Sequence, residues 1–120
     1  GTHLALLTGD IELAAERQLL EENRLSSAEL VFVPHHGSRT SSHAAFIARL
    51  RPRTAVISAG FDNQWDFPKD DVVAALEAGG AEVVNTATTG AQSYRMCADS
   101  GLQRVAEHAG TIAVSGMISR

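Results

Sequence analysis

The chain has 120 residues, with 10 Lys and Arg against 14 Asp and Glu for a formal charge of −4. That length suits one domain with one core and is too short for two, and 44% apolar with 20% charged residues excludes disorder, a collagen-like repeat and a disulfide scaffold. No apolar run is long enough to span a bilayer, no basic segment followed by an apolar one opens the chain, and Cys97 has no second cysteine to pair with.

In chain order, residues 3–8 read as a buried strand that stops at Gly9-Asp10. Residues 11–24 have helical spacing: Ile11, Ala14, Ala15, Gln18 and Leu19 share one face, and Glu12, Glu16 and Glu22 fall outside it. Residues 30–33 form a second strand ended by Pro34, and a polar loop over 35–42 leads to a helix over 44–50, with Ser41 or Ser42 placed to cap it. Residues 54–58 are a third strand, followed by a long loop over 60–69. Asp70 is expected to cap a helix that runs to Ala78 and ends at Gly79-Gly80. Residues 82–84 and 91–97 read as two more strands around a Thr/Gly turn, and past Asp99 the pattern weakens to a short helix and strand or a frayed tail. Strands alternating with helices make an α/β layout.

Charge is distributed unevenly. Residues 35–60 carry Arg39, Arg49, Arg51 and Arg53 with no carboxylate, and both flanks are acidic. Such a stretch is either a solvated helix face or a local anion-attracting surface.

Functional residues in α/β layouts gather where strands end, which singles out three loops. Asp10 follows a strand through a glycine, so its carboxylate can ligate or bridge divalent cations at the sheet rim; the alternative is a cap for the following helix. His35 and His36 supply imidazoles, which bind metals and shuttle protons near neutral pH. In an extended segment only one of the two faces a given cation, and the other orients a ligand or donates a proton; the alternative is a pair of loop histidines bonded to backbone. Ser38 has no acid partner that would make it a triad nucleophile. His43 reads as a surface residue, and His3 and His108 as structural ones.

Taken together, Leu-Leu-Thr-Gly-Asp-Ile-Glu at 6–12, Val-Pro-His-His-Gly-Ser-Arg-Thr-Ser-Ser at 33–42 and Ala-Val-Ile-Ser-Ala-Gly-Phe-Asp-Asn at 55–63 resemble the C-terminal metallo-β-lactamase-like domain of the ComEC family, channel proteins that bring DNA into competent bacteria. The resemblance runs from about residue 4 to residue 93. It implies the C-terminal half of an αββα sandwich over residues 1–97, with 98–120 as a tail, and a hydrolase that cleaves phosphodiester bonds of the DNA strand that is not imported. It implies a divalent metal, zinc or manganese, with Asp10, His35 and His36 as its ligands, His35 or His36 as proton donor, and Ser38, Arg39 and Asn63 in contact with substrate.

Two features depart from the family pattern. The histidine-rich metal motif that precedes Gly-Asp is absent, and Asp66 and Phe67 occupy the third loop where the family has Gly-His. Residues 1–120 are therefore expected to be the C-terminal piece of a longer protein, with the channel and the first half of the hydrolase domain upstream, inactive alone and prone to dimerise. The parent is expected at the bacterial inner membrane, on its periplasmic face. Two other readings stay open: a soluble hydrolase of a small ester or phosphodiester, and a degenerate domain that only binds DNA or a partner.

Overall fold

The structure is a computed structural model and describes residues 3–105. Four short runs of aliphatic residues, β1 (Ala5–Leu7), β2 (Leu30–Phe32), β3 (Thr54–Ile57) and β4 (Glu82–Asn85), form one parallel sheet in the order β1-β2-β3-β4. Leu6 lies beside Val31, Val31 beside Ala55 and Ala55 beside Val83. Parallel neighbours need crossover connections. These are α1 (Leu13–Glu21), α2 (Ala44–Leu50) and α3 (Asp70–Ala78).

Strand side chains alternate between faces, so the two sides of the sheet carry different residues. Val31, Ala55 and Ile57 meet Phe46 and Leu50 of α2 and Leu76 of α3 in one fully buried core. Leu30, Val56 and Val84 face the other way. A short helix, α4 (Thr86–Thr89), leads to an antiparallel hairpin of β5 (Tyr94–Cys97) and β6 (Gly101–Arg104), which packs on them through Leu102, Tyr94 and Met96. The chain is α/β as expected, and helices, parallel sheet and small second sheet are compatible with part of an αββα sandwich. No helix among the described residues is long and apolar enough to cross a membrane.

The helices over 44–50 and 70–78 begin and end where the spacing places them. Other expectations need correction. β1 is an edge strand that leaves Leu7 73% exposed, because β2 lies on one side of it only and the hairpin does not reach its outer face. Glu16, expected outside the apolar face of its helix, is fully buried. Neither Asp10 nor Asp70 caps a helix: the residues before α1 and α3 are Glu12 and Lys69, and no side chain bonds there. The Thr/Gly turn is α4, capped by Asn85, whose Oδ1 accepts the Ala87 N–H at 2.9 Å. The strand expected from residue 91 starts only at Tyr94. Of the expected tail, residues 101–104 are β6, and His108 lies outside the described residues with everything past 105.

Candidate functional site

In a parallel sheet the loops that leave the carboxyl ends of adjacent strands come together, and here the loops after β1, β2 and β3 do so. They are tied by short bonds. The Thr8 hydroxyl donates to the Phe32 carbonyl, the His35 N–H donates to the Gly9 carbonyl at 2.9 Å, and the Lys69 N–H donates to the Gly37 carbonyl at 3.1 Å.

The central piece is a tight turn over Pro34–Gly37, whose last three residues all have positive φ: 50° at His35, 56° at His36 and 81° at Gly37. A side chain in that region costs about 1–2 kcal/mol per residue, so the histidines are held there by their surroundings. Ser41 Oγ donates to the Pro34 carbonyl at 3.1 Å, closing the turn from within. From outside, Gly37 presses on the third loop so closely that a Cβ on it would lie 2.6 Å from Cβ of Pro68. The turn is left-handed where the sequence reading has extended backbone, and Ser41 closes this turn instead of capping α2.

The left-handed turn still separates the two imidazoles. His36 Nδ1 lies 2.7 Å from the carbonyl oxygen of Ser58. A carbonyl only accepts, so Nδ1 carries a hydrogen, and Nε2 faces Oδ1 of Asp10 at 3.5 Å. In the neutral ring a lone pair would then oppose a carboxylate. A proton on Nε2 or a cation beside the two atoms removes that repulsion. His35 faces a different acid: its Nδ1 lies 3.8 Å from Oε2 of Glu12 and 3.4 Å from Oγ1 of Thr40, and its ring meets Phe67 edge-on at 5.9 Å.

The remaining expected residues are engaged within the protein. Ser38 is buried, with its hydroxyl 3.0 Å from that of Thr40. Arg39 donates from Nε to both oxygens of Asp71, at 2.9 and 3.0 Å, and holds that carboxyl below the ordinary aspartate range. Asn63 lines the cleft beside His36, but its Nδ2 donates to the carbonyls of Gly60 and Phe67 and its Oδ1 accepts the Phe67 N–H. Asp66 is exposed.

Three contributors escape the sequence reading. Glu12 stands there only as a polar-face residue of the helix, although a carboxylate two residues past Asp10 was the available signal. Ser58 acts through its carbonyl and leaves no side-chain signal, and Trp65 stacks on Phe67 at 6.3 Å with 17° between the rings.

Among the described residues no three His, Cys, Asp or Glu side chains converge as a metal site. Asp10 and His36 are two donors, and a protein zinc site supplies three or more. Taken alone, these residues do not complete a zinc site.

The arginines of the carboxylate-free stretch do not make one basic face. Arg39 is paired with Asp71, and Arg49 donates to the Leu25 carbonyl and to Asn23 Oδ1. Arg51 and Arg53 precede β3 and lie at the amino ends of the strands, opposite the histidines, where they line a second cleft with Ser27 and Glu29.

Among the curated proteins similar to this chain are ComE operon protein 3 of Bacillus subtilis strain 168, 36% identical over 90 residues; Recombination protein 2 of Haemophilus influenzae, 37% over 90; and Competence protein ComA of Neisseria gonorrhoeae, 34% over 91. Each match takes in 74–75% of this chain and 11–13% of the relative, so the chain spans about one eighth of the length of the proteins it matches. No family model matches it, and no solved structure does.

Proposed function

We propose that this chain is part of a longer competence-associated DNA-uptake protein and that its Asp10–His36 rim takes part in hydrolysing phosphodiester bonds of the strand that is not imported. The observation that carries the reading is the facing of Asp10 Oδ1 and His36 Nε2 at 3.5 Å, with the ring tautomer held by the Ser58 carbonyl. The name of one relative, Competence protein ComA, supports the competence setting.

In this reading the Ser58 carbonyl keeps Nδ1 protonated and turns Nε2 outward. Water adds to phosphorus as the ester P–O bond breaks, and Nε2, turned toward Asp10, gives its proton to the leaving oxygen and takes one back from the added water. His35, held by Glu12, Thr40 and Phe67, positions the turn. Any zinc or manganese belongs to the proposal as a centre whose other ligands come from outside residues 3–105. The reading places the parent at the inner membrane with this domain on the periplasmic face.

A non-catalytic binding domain is the second reading, favoured by the absence of a three-ligand cluster among the described residues. One experiment separates them. In the longer protein, Asp10→Ala and His36→Ala are each expected to slow nucleotide release from a labelled strand by about 10²–10⁴-fold, the usual worth of a positioned acid or base. Release by both variants at the parent's rate, or none by the parent, overturns the hydrolytic reading.

A further inference from the structure

The third loop carries two exposed aromatic side chains, Phe61 at 84% and Trp65 at 59%. Exposed aromatics normally collapse onto a core, and here the loop prevents it. Asn63 bonds to Gly60 and to both backbone groups of Phe67, and Lys69 Nζ donates to the Trp65 carbonyl at 2.7 Å. Trp65 and Phe67 are thereby held nearly parallel, with Lys69 Nζ 5.6 Å from the centre of the Phe67 ring. His35 meets the Phe67 ring edge-on at 5.9 Å. Beside it opens a cleft of about 360 Å³ whose walls include His36, Ser58, Gly60, Trp65 and Phe67, with mostly apolar lining.

We infer that this cleft is a stacking subsite for a base of single-stranded nucleic acid, with Trp65 as the platform. The inference rests on the hydrolytic reading only for the class of polymer. Three features favour a base over a second copy of the chain. The walls are flat and aromatic, as base stacking requires. The volume suits one nucleotide and is far below what a protein interface fills. The cleft is continuous with His36, so a base seated there places its phosphate at the rim. A loop already braced by these hydrogen bonds also has less ordering to do on binding. Phe67, at the position where the family pattern has histidine, acquires a role here as the second ring of the pile.

The chain has a single tryptophan, so its emission reports on this loop alone. Titration of the chain with an oligothymidylate of about ten nucleotides, within the span of known single-strand sites, is expected to quench Trp65 to saturation. An abasic oligomer of equal length is expected to leave the emission unchanged. By anisotropy of a labelled oligonucleotide, Trp65→Ala should weaken binding about five- to a hundredfold, and Trp65→Phe should restore most of it. Quenching by the abasic oligomer equal to that by oligothymidylate, or no quenching by either, overturns the inference. So does an emission shift that follows protein concentration without oligonucleotide, because a second copy would then cover the loop. Full base-dependent quenching in a longer protein that releases no nucleotides would overturn the hydrolytic reading alone, so a failed stacking subsite and a failed hydrolytic site give different results.

Discussion

At the scale of single residues, Glu16 shows how far a side chain's role can depart from its position on a helical wheel. It sits in α1 with no exposure at all, and its two oxygens accept the backbone N–H groups of Ser42 and His43 just before α2. Helix α2 has no side-chain cap of its own, so a carboxylate from another helix satisfies donors at its start. That bond also fixes where the His35–Ser42 segment ends, and so where the histidine turn can lie. Glu16→Gln keeps the shape but sets an amide NH₂ against an N–H. It is expected to destabilise the chain by about 1–3 kcal/mol, the cost of a buried donor left unpaired. A lower urea midpoint with unchanged slope is the signature to look for. Nothing in the spacing reveals this role, because wheel reasoning asks whether a residue is polar, whereas Glu16 is buried by long-range partners 26 and 27 residues away.

At the scale of elements, the β5–β6 hairpin is joined to the sheet by carboxylates as well as by apolar packing: Glu82 of β4 accepts from Arg104 of β6 at 2.9 Å. Glu29, just before β2, bonds to His3 Nδ1 through one oxygen and accepts the Leu102 N–H of β6 through the other, at 3.4 Å. The His3 bond, and after it the Leu102 N–H, hold the Glu29 carboxyl below the ordinary glutamate range. A carboxyl lowered in the folded state contributes stability that is complete above its unfolded pKa and is lost as pH falls through the folded one. Thermal melts between about pH 7 and pH 3 should therefore drop more steeply on the acid side for the parent chain than for Glu29→Gln. Equal acid slopes would remove Glu29 from this role. Helices α2 and α3 were legible in full because each has apolar spacing bounded by clear breakers. The hairpin's partner was not, since strand pattern does not say whether Tyr94–Cys97 extends the parallel sheet or crosses to its other face. Likewise the two histidines were legible as chemistry, while their left-handed turn depends on Ser41 and Pro68, which no local rule connects to them.

At the scale of the whole molecule, the parallel sheet is covered on one face by three helices and only in part on the other. Leu7, beside Phe32 in β1, stays in water, and so does much of Leu4. Exposed apolar side chains on an edge strand invite pairing with another chain. Sedimentation of the isolated chain is expected to show concentration-dependent association that Leu7→Lys reduces; identical behaviour of the two proteins would place the contact elsewhere. The split of charge between the two ends of the sheet has a consequence for encounter with a polyanion. Arg51 and Arg53 stand at one end beside Glu29, while Asp10 and Glu12 face the histidines at the other and Asp62 and Asp66 lie in the loop that carries the tryptophan, near Lys69. The carboxylates nearest the cleft oppose an approaching polyanion. Added salt, which weakens most such associations, would therefore also screen a local repulsion and ease docking at the tryptophan.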